Sequence, residues 1–264
     1  MSSKPVPRIL ITNDDGIQAE GLKVLEQIAN ELSDEVWVVA PEHDQSGTSH
    51  SVSLQDPLRL YSWSDRRHSV RGTPSDCVLL AVEHLMKECR PSLILSGVNR
   101  GHNLSDAVAY SGTVGAAMTG LLLNVPAIAL SQAFRVPEGV RWDTAARLAP
   151  PLILALLERG WPRDVCLNIN FPDVDADQVR GVSLTRPARG LLAGVEIDAR
   201  LDSRAQQYFW LRFRHGDLTD AEEDSDVMAV RQGRISISPL RFARDTAPDC
   251  HELGVGLSEF LKGA

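Results

Sequence analysis

The first two thirds of the chain alternate short apolar runs with longer segments in which apolar residues recur at helical spacing. Short runs rich in β-branched residues are typical of strands that are buried on both faces. Strands are predicted over residues 8–12, 35–40, 91–95, 126–130 and 165–168, and residues 58–63 and 68–71 are expected to form a hairpin. Helices are predicted over 19–32, 74–88, 113–123 and 142–159, and Thr73-Pro74 starts the second of them.

Strands that alternate with helices predict an α/β fold with a mostly parallel sheet. Right-handed crossovers then place helices on both faces, which makes the sheet doubly wound. The pattern changes after about residue 180. Strand-like runs with hairpin connections are predicted at 181–186, 208–214 and 234–238, together with an acidic segment at 218–230 and a terminal helix at 246–261. We therefore predict a core domain over 1–180 and an α+β elaboration over 181–264 that packs on a neighbouring subunit.

Charge and cysteine content exclude several classes of protein. The net charge of −8 argues against a protein that binds nucleic acid polymers, which is normally basic. The four cysteines form no C-x-x-C pair and are expected to be reduced, as in the cytoplasm. The chain shows neither an N-terminal signal region nor an apolar run long enough to span a bilayer. The expected location is therefore cytoplasmic, without a membrane partner.

Oxygen-bearing side chains follow three of the predicted strands at their carboxyl ends, where ligands bind in open α/β sheets. Asp14 and Asp15 follow the first strand, Ser46 lies in the loop after the second, and Asn99 follows the third. Two carboxylates with neutral oxygen ligands suit Mg²⁺, Mn²⁺ or Ca²⁺. We expect one such ion per subunit at this position. The alternative is that Asp14, Asp15 and Gly16 form only a turn before the next helix.

A second candidate site precedes the helix predicted over 113–123. Ser111, Gly112 and Thr113 place hydroxyl groups and a glycine at the start of this helix, where free amides can bind an anion. The alternative is an ordinary Ser/Thr cap. The segment 72–77, which contains Thr73 and Asp76, gives a third and weaker signal: it is either only a capped helix start or an element of substrate recognition.

Several common catalytic motifs are absent from the sequence. It contains no G-x-x-x-x-G-K-[ST] phosphate loop, no G-x-G-x-x-G after a strand, no G-x-S-x-G elbow and no H-E-x-x-H. His43, His50 and His102 fall in or near the candidate loops. We expect them to be surface or supporting residues rather than metal ligands.

Taken together, these segments resemble the SurE family of stationary-phase survival proteins, which act as 5′/3′-nucleotidases. The resemblance rests on motifs that lie in the same order over residues 9–131, and two later segments extend it. The motifs are I-T-N-D-D-G at 11–16, A-P with Q-S-G at 40–47, G-T-P with D-C at 72–77, S-G-V-N-R-G-H-N at 96–103, Y-S-G-T-V at 110–114, L-N-I-N-F-P at 167–172, and S-D at 225–226 with I-S-I-S-P-L at 235–240.

The resemblance implies a Rossmann-like core and a homodimer or homotetramer in which C-terminal elements are exchanged between subunits. It implies that Asp14, Asp15, Ser46 and Asn99 hold the catalytic metal. It also implies that Asn103, Ser111, Gly112 and Thr113 lie close to the phosphate of a nucleoside 5′- or 3′-monophosphate, and that some members act on polyphosphate. The sequence departs from the usual family pattern at Ser105, Arg234 and 202–207, which affects substrate preference and subunit contacts.

The mechanism expected from this site is direct attack of a water molecule on phosphorus, assisted by the metal, with Asp14 or Asp15 as the residue that accepts its proton. The sequence does not decide between the two aspartates. A phosphoaspartate intermediate is the rival mechanism, but the known type uses Asp-x-Asp spacing and these aspartates are adjacent. Two further alternatives are a noncatalytic nucleotide or metal sensor and a structural assembly protein.

Overall fold

A computed structural model describes residues 4–216 and 222–242 of the 264-residue chain. The strands are β1 Ile9–Thr12, β2 Val36–Pro41, β3 Arg59–Ser64, β4 Arg67–Arg71, β5 Leu93–Arg100, β6 Ala127–Gln132, β7 Phe134–Arg135, β8 Gly139–Val140, β9 Cys166–Phe171, β10 Val182–Leu184, β11 Leu192–Leu201, β12 Gln207–His215 and β13 Ile235–Leu240. The α-helices are α1 Glu20–Leu32, α2 Pro74–Leu80, α3 Gly112–Leu122, α4 Trp142–Arg159 and α5 Asp226–Arg231.

Nine of the described strands form one sheet in the order β10-β13-β9-β6-β5-β1-β2-β4-β3. The strands from β9 to β4 in this order pair in parallel, whereas β3 and β13 run antiparallel to their neighbours β4 and β9. The chain moves from β1 outward through β2 and β4, and then returns to the other side of β1 to form β5. The prediction of a doubly wound, mostly parallel sheet is confirmed. The strand order reverses between β1 and β5, and this is where ligands bind in such folds.

Two apolar layers enclose the sheet because successive residues of a strand point to opposite faces. Ile9 and Ile11 of β1 belong to the cluster covered by α1 and α4. Leu10, between them, belongs to the cluster on the other face, where α2 and α3 pack against each other. Each of these side chains is fully buried, which contributes about 1.5–3 kcal/mol relative to exposure in water. The sheet is therefore held rigidly between two helical layers.

The start of α2 confirms the capping interpretation of Thr73 and Pro74. The Thr73 hydroxyl accepts a hydrogen bond from the Asp76 amide, and the Asp76 carboxylate accepts one from the Thr73 amide. Asp76 is fully buried and also accepts a hydrogen bond from the amide of Ser53 at 3.0 Å. This carboxylate therefore joins α2 to the loop between β2 and β3. The helix predicted to reach residue 88 ends earlier as an α-helix and continues as a π-helical turn over Ala81–Leu85.

Other predicted boundaries need correction. β5 continues to Arg100, beyond the strand predicted over 91–95, because pairing of Asn99 with Ser131 of β6 extends it past an irregularity after Ser96. Hairpin connections were expected for all three C-terminal runs, but only β12 lies in one, with β11. β10 and β13 instead pair in parallel and join the central sheet. The helix predicted over 246–261 lies outside the described residues, and the domain boundary at residue 180 stays a prediction.

Two further expectations concern cysteines and membranes. Cys77, Cys89 and Cys166 are free thiols, as expected, and Cys250 lies outside the described residues. Over 4–216 and 222–242, no helix combines the length and the apolar character that crossing a bilayer requires.

Candidate active site

Asp14 lies in the turn after β1 and is only 4% exposed. Its Oδ1 atom accepts a hydrogen bond from the Thr113 hydroxyl at 2.6 Å, and its Oδ2 atom accepts one from the Thr113 amide at 3.1 Å. Thr113 stands in the first turn of α3, where the helix dipole favours a negative charge. Burial raises the pKa of Asp14 to about 6; the Thr113 hydrogen bond opposes this rise and the charge of Asp15 adds to it. The carboxylate is thus fixed in position but poorly compensated.

Gly112 allows α3 to approach Asp14 this closely. A Cβ atom at Gly112 would lie 2.8 Å from the Cβ atom and 3.0 Å from the Oδ2 atom of Asp14, and 3.2 Å from Pro74. Any larger residue would push the helix away from the carboxylate. The glycine is therefore required by packing against Asp14.

Asp15 is half-buried beside the end of β5. Its Oδ2 atom accepts a hydrogen bond from the Arg100 amide at 3.3 Å. Burial raises the pKa of Asp15, the Arg100 amide opposes this, and the carboxylate of Asp44 raises the pKa further. Asp15 is thus a second carboxylate whose negative charge is unfavourable in the free protein.

Ser46 lies exposed in the loop that follows β2. The Asp44 side chain accepts a hydrogen bond from the Ser46 amide at 2.7 Å, which closes an Asx turn. The neighbouring Gln45 amide donates to the main-chain oxygen of Asp14 at 2.8 Å. The loop that carries Ser46 is therefore attached directly to the aspartate turn.

Asn99 occupies the last part of β5. Its side-chain nitrogen donates to the main-chain oxygen of Gly101 at 3.0 Å. This bond uses the amide nitrogen, so Oδ1 is the atom of Asn99 that can bind a cation. The three strand ends predicted to converge therefore do so, through contacts of Asp15 with Arg100 and of Gln45 with Asp14.

The donor set fits a hard divalent cation. Among the residues that the structure describes, no Lys, Arg or His side chain forms an ion pair with Asp14 or Asp15. Two adjacent carboxylates with raised pKa values call for a nearby positive charge, and the Arg100 side chain offsets the charge of Asp15 only in part. The same residues hold no group of three or more His, Cys, Asp or Glu side chains suited to a metal. A cation here would therefore depend on neutral oxygens as well, which Mg²⁺, Mn²⁺ and Ca²⁺ accept.

The residues expected near phosphate already make contacts within the protein. Both donors of Thr113 are bonded to Asp14, and the Ser111 hydroxyl accepts from the Val114 amide as the N-cap of α3. The side-chain nitrogen of Asn103 donates to the Ser131 hydroxyl at 2.9 Å. The capping interpretation of Ser111 thus holds in the structure, and contact of these residues with phosphate stays a prediction.

Asn168 and Asn170 of β9 hold the loop that follows β5, and no role was predicted for either from the sequence. The Asn103 amide donates to Oδ1 of Asn170 at 2.8 Å. The main-chain oxygen of Asn103 accepts hydrogen bonds from the side-chain nitrogens of Asn168, at 2.8 Å, and Asn170, at 3.1 Å. Both side chains are fully buried. Buried asparagines within an otherwise apolar strand are the signal that could have indicated this role.

Asp226 fixes the other end of the same loop. It is fully buried and accepts hydrogen bonds from the amides of Ser105 at 2.7 Å, Ala188 at 2.9 Å and Val227 at 2.8 Å. Burial raises the pKa of Asp226, and these amides oppose the rise. A residue of the C-terminal elaboration therefore positions a loop of the site.

The three histidines near the site differ in their burial and in their contacts. His43 is exposed, and the Nε2 atom of His50 is 2.8 Å from the Thr119 hydroxyl on α3. The His102 ring lies 6.5 Å from that of His215, and burial lowers the pKa of His102. His50 thus has a supporting contact of the kind expected.

Comparison with known proteins places this geometry in a family. The family model described as survival protein SurE matches residues 9–193. The 5′-nucleotidase SurE 1 of Burkholderia lata is 54% identical over 90% of this chain and 91% of its own length. The 5′-nucleotidase SurE of Parvibaculum lavamentivorans is 50% identical over 88% of this chain and 84% of its own.

A solved structure supports the same assignment. The crystal structure of the SurE protein from Aquifex aeolicus matches with a TM-score of 0.79 at 31% identity, and the match covers 96% of this chain and all of the other. The family model spans more than half of the chain, and both relatives are aligned over most of their length. The chain therefore belongs to the SurE family.

Proposed function

We propose that this protein is a 5′-nucleotidase that uses one divalent cation per subunit, Mg²⁺, Mn²⁺ or Ca²⁺, to hydrolyse nucleoside 5′-monophosphates to a nucleoside and phosphate. The observation that carries the proposal is the pair Asp14 and Asp15, two carboxylates at the switch point of the sheet that form no ion pair with a basic side chain of the described residues. The relatives named 5′-nucleotidase SurE support the substrate class. We extend the proposal to 3′-monophosphates and, as a further substrate to be tested, polyphosphate.

Asp14, Asp15, Ser46 and Asn99 would hold the cation. When bound, such an ion neutralises charge on the phosphate and lowers the pKa of a water molecule. Asp14 is held by Thr113 and has the fixed geometry of a ligand. Asp15 is less buried than Asp14, and its Oδ2 atom accepts a hydrogen bond from the Arg100 amide. We therefore assign to Asp15 the acceptance of the proton from the attacking water. Asn103, Ser111, Gly112 and Thr113 would line the phosphate position.

The geometry of Asp14 argues against a phosphoaspartate intermediate at this residue. Both of its oxygens accept hydrogen bonds from Thr113, which lowers their nucleophilicity and restricts their approach to phosphorus. Direct attack by water does not require an oxygen of Asp14 to leave Thr113 and approach phosphorus. Single-turnover hydrolysis in ¹⁸O-labelled water separates the two routes, and label that first enters the protein carboxylate would contradict direct attack.

Phosphate release from AMP, 3′-AMP and polyphosphate, with each of the three cations and with none, tests the proposed activity. We expect hydrolysis of AMP only when a cation is present. Asp14→Asn is expected to abolish hydrolysis, whereas Asp177→Asn, on an exposed carboxylate paired with Arg147, serves as the matched control. Tight binding of AMP without turnover under every condition would instead support a nucleotide sensor.

We also propose that the protein is a homodimer or homotetramer and that β11 and β12 contribute to its interface. These strands form a two-stranded ribbon outside the central sheet. Val195 pairs with Phe213 and Ile197 with Leu211, so that one face is apolar; Ile197 is 62% and Leu211 74% exposed. An isolated ribbon of two strands is marginally stable in water, and exposed apolar patches mark contact surfaces. A second copy of the chain is the partner we propose, and the cytoplasm is the location we propose.

A further inference from the structure

An open cavity of about 600 Å³ adjoins Asp15. Its walls come from the first residues of α1, from Trp142 at the start of α4, from β8 and from Arg100. Since Asp15 belongs both to this wall and to the proposed cation site, the cavity opens directly beside that site.

The start of α3 packs directly against Asp14. Both oxygens of Asp14 accept hydrogen bonds from Thr113, and a Cβ atom at Gly112 would lie 2.8 Å from the Cβ atom of Asp14. The cavity beside Asp15 offers space for the part of a phosphate ester that lies beyond its bridging oxygen.

The chemistry of the cavity is mixed in a way that suits a nucleoside. Trp142 and Val140 provide apolar surface, and Glu20 and Asp44 provide carboxylates that accept hydrogen bonds. The Trp142 ring is seated against α1, because a Cβ atom at Gly21 would lie 3.0 Å from its Cη2 atom. A fixed indole offers a stacking surface for any nucleobase, and a carboxylate accepts hydrogen bonds from ribose hydroxyls.

On the basis of the phosphatase activity proposed above, we propose that this cavity binds the nucleoside part of the substrate, with the base stacked on Trp142 and the ribose hydroxyls donating to Glu20. Because stacking is similar for all bases, the cavity favours nucleotides over simple phosphate esters without selecting strongly among bases.

Steady-state kinetics with AMP and with ribose 5-phosphate, which lacks the base, test the role of Trp142. At saturating Mn²⁺, Trp142→Leu is expected to raise KM for AMP about tenfold, the effect of losing one stacking contact, and to leave kcat and the KM for ribose 5-phosphate nearly unchanged. Trp161→Leu is the matched control, because Trp161 follows the other end of α4 and lines a different cavity. Thermal unfolding of each variant checks that it is folded.

Glu20→Gln provides a second test that does not depend on the packing of Trp142, because Glu20 is exposed. It should raise KM for AMP and for ribose 5-phosphate about equally and leave KM for phenyl phosphate unchanged. If Trp142→Leu alters AMP and ribose 5-phosphate to the same degree, or alters neither, the cavity assignment is wrong while the nucleotidase activity stands. If the unaltered protein releases phosphate from none of these esters with any of the three cations, the proposed function itself fails.

Discussion

Thr113 donates two hydrogen bonds to Asp14, one from its hydroxyl at 2.6 Å and one from its amide at 3.1 Å. The first turn of α3 therefore binds a carboxylate of the protein, which was not expected from the sequence. This contact joins the cation site and the proposed phosphate position into one rigid unit, because a displacement of α3 displaces Asp14 as well.

Removal of the Thr113 hydroxyl should impair the cation site. Thr113→Val keeps the shape of the side chain but loses a hydrogen bond to a charged group, which contributes about 1.5–3 kcal/mol. If that loss is transmitted to the transition state, kcat/KM for AMP falls roughly 10- to 150-fold. Thr113→Ser retains the hydroxyl and should keep most of the activity. Equal activity of the two variants would show that the hydroxyl does not matter.

The asparagines of β9 should differ in importance. Asn170 both donates to and accepts from the main chain of Asn103, whereas Asn168 only donates to it. Asn170→Ala leaves the buried Asn103 amide without its partner, at a cost of about 1–3 kcal/mol. We expect a larger loss of unfolding free energy in urea, and a larger fall in kcat, for Asn170→Ala than for Asn168→Ala. The reverse order would contradict the assigned contacts.

The apolar face of the β11–β12 ribbon should determine the oligomeric state. Leu211→Lys places a charge on this face, and we expect a smaller particle mass in analytical ultracentrifugation. Glu196→Lys changes the charge on the other face of the same ribbon and is expected to have no such effect. A monomeric unaltered protein would refute the oligomer, and an unchanged mass for Leu211→Lys would exclude this face.

Acid should weaken the ion pair that holds β1 and β2 together at their starts. The Arg8 guanidinium binds Glu35 through two hydrogen bonds, at 2.5 and 2.7 Å, and lowers the pKa of Glu35. A lowered pKa in the folded state adds stability above the pKa of the unfolded chain, and this stability is lost as the pH falls through the folded value. Because the pair is partly exposed, its contribution is about 1 kcal/mol or less.

Glu35→Gln should therefore lower the unfolding free energy in urea at pH 7, and the difference from the unaltered protein should shrink as the pH falls towards 3. Glu31→Gln, on the exposed side of α1, is the control and should change the unfolding free energy little at either pH. A difference that is the same at pH 7 and pH 3 would show that the charge of Glu35 does not contribute.

The sequence by itself determined the parallel core and the placement of Asp14, Asp15 and Ser46 after its strands, with Asn99 near the carboxyl end of a third strand. Both are local properties. Apolar periodicity identifies strands and helices, and the carboxyl ends of parallel strands meet at one edge of a sheet. The start of α2 was predictable for a similar reason, because Thr73 and Asp76 form their capping contacts within one helical turn.

Only the tertiary structure decided how these parts are held. The contact of Thr113 with Asp14 joins residues 99 positions apart, and that of Asn103 with Asn170 joins residues 67 apart. The extension of β5 to Arg100 depends on pairing with β6, and the parallel pairing of β10 with β13 replaced the expected hairpin. No local pattern specifies such partners, because each is selected by which surfaces meet when the sheet and its two helical layers pack together.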